Sequence, residues 1–594
     1  MKKITLIFTL LFCLIGVETI YAQSLQREIS LKEQIENSNL VVEGKVIAKE
    51  SFWDASGGLI YTANTIEVYK VFKGDPIETV DVITLGGTVG LDALIVHPSL
   101  LLSQEDVGVF TLQNSKTLNR LSGKESANKE YKPYALSQGF FRYNLTNDLA
   151  ANSFKKMKGI KSSFYNEITA FTRQGYMQIK DFGSDYKTKT SKGLLPPSSL
   201  TLNKSVVSAG TGEELIITGS GFGAGQGNVW FSNADDGGAT LIAALDSQVT
   251  SWSDTSITVE VPSRAGTGSV VVEDTSNAQS PGAALTVSYS EINVSFDPGS
   301  GLQDFQIQHY NDNASGGYTW EMQTDFFNNA AAKAAFERAF DKWVCETGIN
   351  WTISGSATAV DVIGSSSDGT NVIRFDNGSE LGATTLGKCY SWYTSCDGLN
   401  WWVSELDIVF DDTTDWHYGT DLPGFSEYDF ESVALHELGH GHQLAHVIDP
   451  TVDGDNLDDV MHYAISNGES QKVISSDNST AANNIQSRSE GSVICAQPLM
   501  TSGSCSLSID ENDLEKAISV YPNPSRGEFQ IRNASQLNLD RAVIYDVSGR
   551  QISSHDLANT SRIKTINMEG AASGLYFVNI YSERAMVTMK IMVD

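Results

Sequence analysis

Basic residues are scarce in this chain. Its 594 residues include 41 Lys and Arg against 72 Asp and Glu, which gives a formal net charge of −31. A surface of that sign repels phosphate backbones, so nucleic acid is not expected as a partner. The excess of carboxylates suits a soluble extracellular protein that holds divalent cations.

Long apolar runs are missing beyond the N-terminus. Residues 1–22 have the form of a signal peptide, with Lys2 and Lys3 before an apolar run from Ile4 to Val17 and Ala22 at its end. This run is too short for a comfortable membrane span, and no later segment is long and apolar enough to be a transmembrane segment. The sequence therefore predicts a protein that is secreted or held at the cell surface.

Cysteine is also sparse, with six in the whole chain. Export permits disulfide bonds, and five cysteines remain after the signal peptide. The economical pairs are Cys389 with Cys396 and Cys495 with Cys505, which leaves Cys345 over, although connectivity does not follow from spacing. No cysteines have zinc-knuckle spacing, so a structural zinc cluster is not expected.

The length predicts several domains. Residues 23–195 alternate polar and apolar residues in β-rich segments such as LVVEGKVIAKE, which is typical of strands. This N-terminal domain is either an inhibitory propiece or an accessory module. It contains no cysteine, which excludes a thiolate from this segment as a metal cap, and its single His97 is expected to be structural.

Two segments resemble known non-catalytic domains. Residues 196–289 contain short strands between Gly-rich turns, and the phrases ITGSGFG and WSDTSITVEVP resemble the IPT/TIG family of immunoglobulin-like β-sandwich domains. Within residues 507–594, the phrases VYPNP (from Val520), RAVIYDVSGRQI and GLYFVNI resemble the C-terminal sorting domain of type IX (Por) secretion. The second resemblance implies passage across an outer membrane and a partner in the type IX secretion machinery.

Residues 290–506 have a different pattern. The stretch from Asn328 to Thr347 is rich in helix formers with a buried-type aromatic stripe, and INWTIS, NVIRFD and SELDIVFDD follow as strand candidates. Residues 475–487 are expected to form a closing helix. Helices combined with strands in this order predict an α+β domain.

The motif HELGHGHQLAH lies in this domain. His436 and His440 are four residues apart, so a helix presents both imidazoles on one face to one metal ion, with the Glu437 carboxylate beside them. His446 points off that face unless the helix ends soon after His440 and the chain turns back. Spacing alone also leaves His442 or a carboxylate from elsewhere as the third ligand.

The whole pattern resembles the metzincin zinc endopeptidases, of the astacin or matrixin kind, because Met461-His462-Tyr463 follows the three histidines. The resemblance implies His436, His440 and His446 as ligands of one zinc ion, Glu437 as the general base for a zinc-activated water, and Met461 as the Met-turn residue. It also implies that Tyr463 stabilises the oxyanion formed from a protein or peptide substrate. The family has glycine where this chain has Gln443, so the turn requires a strained non-glycine residue at positive φ.

Two alternatives and one further site remain. An exported adhesin with an inactive protease-like domain would bind through its β domains, although the intact Glu437 argues against it. A gluzincin-type enzyme would take a downstream Glu as its last ligand, which Met461 disfavours.

The loop after His446 is acidic, and its density of oxygen ligands is compatible with calcium binding. Asp449 of this loop is also placed to orient a ligand imidazole. The acidic loop residues are Asp449, Asp453, Asp455, Asn456, Asp458 and Asp459.

Overall fold

The computed structural model describes residues 28–594 except 116–117, 125, 183–195, 362–367, 379, 382–384, 450–458, 506–513, 515–516, 535–536, 538, 548, 558–561, 569 and 583–585. The predicted signal peptide and most of the acidic loop lie outside the described residues. The chain is multidomain and mostly β-sheet. In its described part, no helix combines the length and the apolar character of a membrane-spanning segment.

The N-terminal domain is built around a barrel. Strands β1, β2, β3, β7 and β6 pair in a closed ring, since β1 also pairs with β6, and the apolar faces of these strands fill its interior. Helices α1 and α2 pack on its outside over a second apolar cluster. The elements are α1 (Leu31–Asn37), β1 (Leu40–Trp53), β2 (Ile60–Lys73), β3 (Thr79–Leu85), β4 (Gly87–Val89), β5 (Asp92–His97), β6 (Val107–Asn114), β7 (Lys129–Pro133), β8 (Phe140–Asn144), β9 (Leu149–Ala151), β10 (Lys156–Lys158), α2 (Tyr165–Thr172) and β11 (Met177–Gln178).

The second unit is a β-sandwich. One sheet has the order β12-β14-β18-β17 and the other β13-β20-β19-β15-β16. Their alternating apolar residues meet in a single core, as the period of two along each strand predicts. The strands are β12 (Ser198–Leu202), β13 (Val206–Ala209), β14 (Glu214–Ser220), β15 (Asn228–Asn233), β16 (Leu241–Ala243), β17 (Val249–Trp252), β18 (Ser256–Glu260), β19 (Ala265–Glu273) and β20 (Ala283–Ser290).

The third unit contains a mixed sheet with helices packed against it. The sheet order is β24-β23-β25-β27-β26-β5-β4, so its last two strands come from the N-terminal domain. The elements are β21 (Asn293–Phe296), β22 (Gln303–Gln308), β23 (Tyr318–Met322), α3 (Thr324–Asn328), α4 (Ala330–Thr347), β24 (Trp351–Ile353), β25 (Asn371–Phe375), β26 (Gly387–Ser395), β27 (Trp401–Phe410), β28 (Trp416–His417), β29 (Tyr428–Asp429), α5 (Phe430–Gly441) and α6 (Ser476–Gly491).

Helix α4 begins and ends where its sequence indicates. The Asn329 side chain accepts a hydrogen bond from the Ala332 N–H, and Gly348 ends the helix at φ 70°. The predicted aromatic stripe is buried. Its Trp343 donates an indole hydrogen bond of 2.8 Å to the Leu435 carbonyl of α5, which fixes α4 against the helix that carries the histidine motif.

The cysteine pairing differs from the expected one. Cys345 bonds to Cys505 and Cys396 to Cys495, while Cys389 is a buried free thiol. The expected pairs were wrong because Cys389 and Cys396 lie on the same strand or just past its end, where seven residues of extended chain keep them apart. Both bonds instead attach the segment after α6 to the rest of the third unit.

The C-terminal unit is another two-sheet β domain. Its sheets have the orders β30-β31-β34 and β33-β32-β35-β36, with one apolar core between them. The strands are β30 (Ile518–Tyr521), β31 (Glu528–Asn533), β32 (Leu539–Asp546), β33 (Gln551–Asp556), β34 (Ile563–Asn567), β35 (Gly574–Ser582) and β36 (Met586–Val593).

Candidate metal centre

Helix α5 is buried along its whole length. The carboxylate of Glu431, in its first turn, forms ion pairs of 2.7 Å with Arg338 and 2.6 Å with Lys342, both on α4. Although burial opposes it, these cations lower the pKa of Glu431 below its usual range. The paired charge and the indole bond from Trp343 hold α5 in one position against α4.

The chain turns back directly after α5. Gln443 has φ 76°, as the sequence requires of the residue at the expected glycine position. Its amide group compensates for the strained backbone, because Oε1 accepts a bond of 2.7 Å from the Tyr393 hydroxyl and Nε2 donates to the Gly441 carbonyl at 3.0 Å. A completely buried glutamine therefore makes this turn without glycine.

The segment that joins the β-sandwich to the third unit lies along this turn. The Ile292 N–H donates to the Gln443 carbonyl at 2.9 Å, and the Ala445 N–H donates to the Ser290 carbonyl at 2.8 Å. The turn is thereby tied by backbone bonds to the end of β20. This fixes the β-sandwich close to His446.

The structure brings His436, His440 and His446 together. One ring nitrogen of each lies within 4.8 Å of those of the other two. Each Nδ1 has an oxygen partner: the Val460 carbonyl at 2.6 Å for His436, the Leu444 carbonyl at 2.8 Å for His440, and a carboxylate at 2.9 Å for His446. Because these oxygens accept, each Nδ1 carries the proton and each Nε2 is left with a lone pair.

The three Nε2 atoms fit a metal ion. Burial and the neighbouring imidazoles lower the pKa values of His436 and His440 well below the usual range, so both rings are neutral. The Nε2 of His440 lies 3.2 Å from that of His446, and the buried Nε2 of His436 has no hydrogen-bond partner among the described residues. Tetrahedral zinc with bonds of about 2.0–2.1 Å places its nitrogen ligands roughly 3.3 Å apart. Converging lone pairs at this spacing repel each other unless a cation lies between them.

The carboxylate that orients His446 belongs to Asp235 of the β-sandwich. Asp235 lies in a short turn after β15, and its second oxygen accepts a bond of 2.7 Å from Arg264 Nε. Burial would raise the pKa of Asp235, but Arg264 and His446 together lower it below its usual range. The expectation that Asp449 orients a ligand imidazole is corrected, because the Nδ1 atom of each of the three histidines is hydrogen-bonded to another oxygen. No local sequence signal marked Asp235, which lies 211 residues from its partner.

The Glu437 side chain lies between α5, to which the residue belongs, and β26. A Cβ placed on Gly387 would be 3.0 Å from Glu437 Oε1, so the glycine leaves room for this carboxylate. The side chain is buried, and no described group completes a hydrogen bond to either oxygen. Burial raises the pKa of Glu437 well above its usual range, and the nearby Cys389 amide and Lys388 charge offset part of that rise. A cation held by the nearby helix histidines would favour the ionised form of this carboxylate, which could then accept a proton from a bound molecule.

Met461 and Tyr463 pack against different domains: Met461 contacts α5, and Tyr463 contacts the β-sandwich. The Met461 sulfur packs against Gly439, where an added Cβ would approach it to 2.2 Å. The Tyr463 hydroxyl lies against Gly237 of the β-sandwich, 2.3 Å from a Cβ placed there. The oxyanion role of Tyr463 stays a prediction. His442 and His462 are also buried, but they lie outside the group formed by His436, His440 and His446.

His97, which is expected from the sequence to be structural, lies against the histidine cluster. Its ring stacks on His440 with 4.4 Å between centroids and 16° between planes, and it meets His446 edge-on at 5.7 Å. It reaches the centre because β5 pairs antiparallel with β26, with His97 opposite Cys389. The signal available in the sequence was the apolar strand DALIVH ending in one of only nine histidines.

A second group of carboxylates lies elsewhere in the third unit. Oxygens of Asp376, Asp411 and Asp412 are within 4.8 Å of one another. The Asp376 and Asp411 oxygens accept hydrogen bonds from their own loops, including one from the Leu381 N–H and one from the Thr414 hydroxyl. These contacts account for the cluster, and the predicted calcium site in the acidic loop stays a prediction.

Two segments match known families. Residues 197–289 match the IPT/TIG domain, and residues 519–594 match the secretion system C-terminal sorting domain. The chain is an exported protein. The sorting domain directs it to the cell surface or to the outside of the cell, and no curated protein matches the sequence.

Solved structures give only distant similarities. A DUF3244 family protein with an immunoglobulin-like β-sandwich fold from Bacteroides vulgatus ATCC 8482 has 18% identity and a TM-score of 0.12, over 13% of this chain and 84% of that one. The γ-CGTase from alkalophilic Bacillus clarkii has 11% identity and a TM-score of 0.14, over 62% of this chain and 42% of that one. A structure with a xylogluco-oligosaccharide has 8% identity and a TM-score of 0.14, over 67% of this chain and 60% of that one. The chain thus spans less than two thirds of the length of the last two proteins. TM-scores this low do not establish a shared fold or function.

Proposed function

We propose that the chain is a secreted zinc-dependent endopeptidase of the metzincin type. The observation that carries the proposal is the convergence of three unprotonated Nε2 atoms, two of them on the same buried helix as the unpaired carboxylate of Glu437. Three neutral imidazoles leave a zinc ion its full charge and an open position, so the ion would supply an acidified water and a Lewis acid for a peptide carbonyl.

Residues around the candidate centre would have separate roles in the proposed reaction. Glu437 would accept the proton of the attacking water and return it to the leaving amine, a role for which a buried carboxylate without a competing salt bridge is available. Asp235 and the two backbone carbonyls keep each Nδ1 protonated and each Nε2 aimed inward. Tyr463 is proposed as a donor to the oxyanion, which requires its hydroxyl to leave Gly237.

The test has a metal arm and a cleavage arm. Native mass spectrometry should find one zinc ion in the wild type and in Glu437→Gln, and none in His440→Ala. Cleavage of a reduced, unfolded protein should fall by about 10²–10⁴-fold in Glu437→Gln, since a general base contributes that much. Glu405→Gln is the matched control, because burial and neighbouring Asp407 raise the pKa of Glu405 to about 9 and its protonated form resembles glutamine.

Two results would contradict the proposal. Full activity in Glu437→Gln would remove the general base from the mechanism. One bound zinc ion without cleavage, in any form of the chain including those with the N-terminal domain displaced, would instead favour an exported binding protein with an inactive protease-like domain.

A further inference from the structure

We propose that the IPT/TIG β-sandwich is a metal-dependent clamp: it holds His446 in the ligand position, and a metal ion bound there in turn holds the sandwich against the third unit. Loss of the metal and loosening of the sandwich are then one coupled event. This inference rests on the zinc centre of the proposed function, and it is independent of peptide cleavage.

The segment that carries His446 is not held by its own helix alone. Helix α5 ends at Gly441, five residues before His446. Between them, Leu444 forms an antiparallel bridge with Glu291, the residue that follows β20 of the sandwich. The two backbone hydrogen bonds that join the linker to the turn after α5 flank this bridge. The position of His446 is therefore set by the linker that leaves the sandwich.

This linker is fixed on both sides. On the sandwich side, the Ser290 hydroxyl donates to the Ser263 carbonyl, and the Glu291 N–H donates to the Ala209 carbonyl at 3.0 Å. On the other side, the Glu291 carboxylate, 1% exposed, forms an ion pair of 2.8 Å with Arg488 of α6. A movement of the sandwich would therefore displace the segment that carries the third ligand.

The turn after β15 reaches the ligand itself. Asp235 of this turn accepts the Nδ1 hydrogen bond of His446 at 2.9 Å. Arg264 holds the turn twice, because its carbonyl accepts a bond of 2.9 Å from the Ala234 N–H and its Nε donates to the Asp235 carboxylate at 2.7 Å. Arg264 acts on the centre through Asp235 and is a positioning residue.

Apolar contacts extend the same interface past the third ligand. The Cδ1 atom of Ile448 would lie 3.6 Å from a Cβ placed on Gly238 and 2.8 Å from one placed on Gly266, both in the sandwich. The preceding Val447 donates its N–H to the Met461 carbonyl at 3.0 Å. The sandwich thus packs on the segment that joins the third ligand to the Met461 turn.

The coupling has an electrostatic cause. The Nε2 atoms of His440 and His446 lie 3.2 Å apart, so without a cation their lone pairs repel and the sandwich contacts oppose that repulsion. A cation on Nε2 would remove the repulsion and polarise the Nδ1–H of His446, which strengthens its bond to a carboxylate. Such a coupling is reciprocal: the factor by which Asp235 raises metal affinity is the factor by which the metal stabilises the Asp235 contact.

Amide hydrogen exchange of the full-length chain, metal-free and zinc-loaded, is the test. We expect zinc to slow the exchange of residues 234–240 of the sandwich at least tenfold, because a partner that fixes a ligand histidine changes metal affinity by about 10–100-fold. Asp235→Ala should abolish this slowing while β15 keeps its slow exchange. The loss of zinc-dependent slowing and the loss of zinc affinity in Asp235→Ala should agree within about threefold, as reciprocity requires.

Arg264→Gln tests the positioning residue. It should weaken zinc affinity, measured with a chromogenic chelator, and reduce the zinc-dependent slowing of residues 234–240. A role of Arg264 in sandwich stability alone would instead accelerate this exchange equally with and without zinc. Lys204→Gln is the matched control, because it removes an ion pair of 2.7 Å with Glu213 in the same sandwich, and it should change neither quantity.

Equal exchange of residues 234–240 in the metal-free chain and in a chain shown to hold one zinc ion would overturn the clamp and leave the peptidase proposal standing. Full zinc-dependent slowing in Asp235→Ala would overturn it as well. A chain that binds no zinc would remove the metal centre and both proposals with it, whereas coupling without cleavage would count against the peptidase proposal alone. If Asp235→Ala does not fold, the wild-type comparison and Arg264→Gln give the same decision.

Discussion

The Nδ1 of His446 donates a hydrogen bond of 2.9 Å to Oδ1 of Asp235, although the two residues are 211 positions apart and belong to different domains. The IPT/TIG domain therefore contributes a carboxylate to the candidate metal centre. The second carboxylate oxygen of Asp235 accepts a hydrogen bond from Arg264, so the carboxylate has one fixed position from which to orient the imidazole.

Removal of this carboxylate should weaken metal binding. We expect Asp235→Ala to lower zinc affinity by about 10–100-fold, because a ligand histidine loses the partner that fixes its tautomer and orientation. Asp235→Asn should restore part of the affinity, since its amide oxygen still accepts the bond. Competition with a chromogenic chelator measures both. The exposed Asp246 of the same domain provides the control Asp246→Ala, and an unchanged affinity in Asp235→Ala would show that the contact plays no part in metal binding.

A second prediction concerns the stability of the turn at Gln443. Glycine would relieve strain on the order of 1 kcal/mol, but it would also remove the acceptor of the buried Tyr393 hydroxyl. An unpaired buried hydroxyl costs about 1–3 kcal/mol. We therefore expect Gln443→Gly to be destabilised in urea unfolding despite the positive φ.

A double-mutant cycle separates the two effects. Tyr393→Phe should be destabilising in the wild type and stabilising in Gln443→Gly, because there it removes a buried hydroxyl that has lost its acceptor. Equal effects of Tyr393→Phe in both backgrounds would refute the compensation of strain by this hydrogen bond.

Two glycines of α5 should respond in opposite ways to alanine. A Cβ at Gly439 would lie 2.2 Å from the Met461 sulfur, so Gly439→Ala should destabilise the protein by about 1–3 kcal/mol through overpacking. At Gly441 the nearest atoms lie 3.6 Å away, an ordinary contact, and Gly441→Ala should gain up to about 1 kcal/mol of helix propensity. Urea midpoints measure the difference, and equal midpoints would show that Met461 does not pack as described.

The disulfides can be mapped directly. Peptide mapping without reduction should recover Cys345 linked to Cys505 and Cys396 linked to Cys495. Burial raises the pKa of the Cys389 thiol well above its usual value, so iodoacetamide should label Cys389 only after unfolding. Labelling of Cys389 in the native protein, or recovery of a Cys389–Cys396 peptide, would contradict the structure.

Much of the local structure could be predicted from the sequence. The helix-forming run at residues 328–347 becomes α4, the strand candidates of the third unit become β24, β25 and β27, and the alternating segments of residues 196–289 become a sandwich. These predictions hold because period and propensity act over a few residues. Strand β26 was not predicted, because GKCYSWYTS is nearly all buried and lacks an alternating pattern, although its Gly387 leaves room for Glu437.

The sequence by itself determined that helical spacing sets His436 beside His440, and that His446 joins them only if the chain turns back after the helix. Only the tertiary structure decided what surrounds them. The oxygen on His446, the imidazole of His97 on His440 and both disulfides join residues roughly a hundred to several hundred positions apart. Such contacts depend on how separate domains pack, and packing between distant segments leaves no periodic signal in either one.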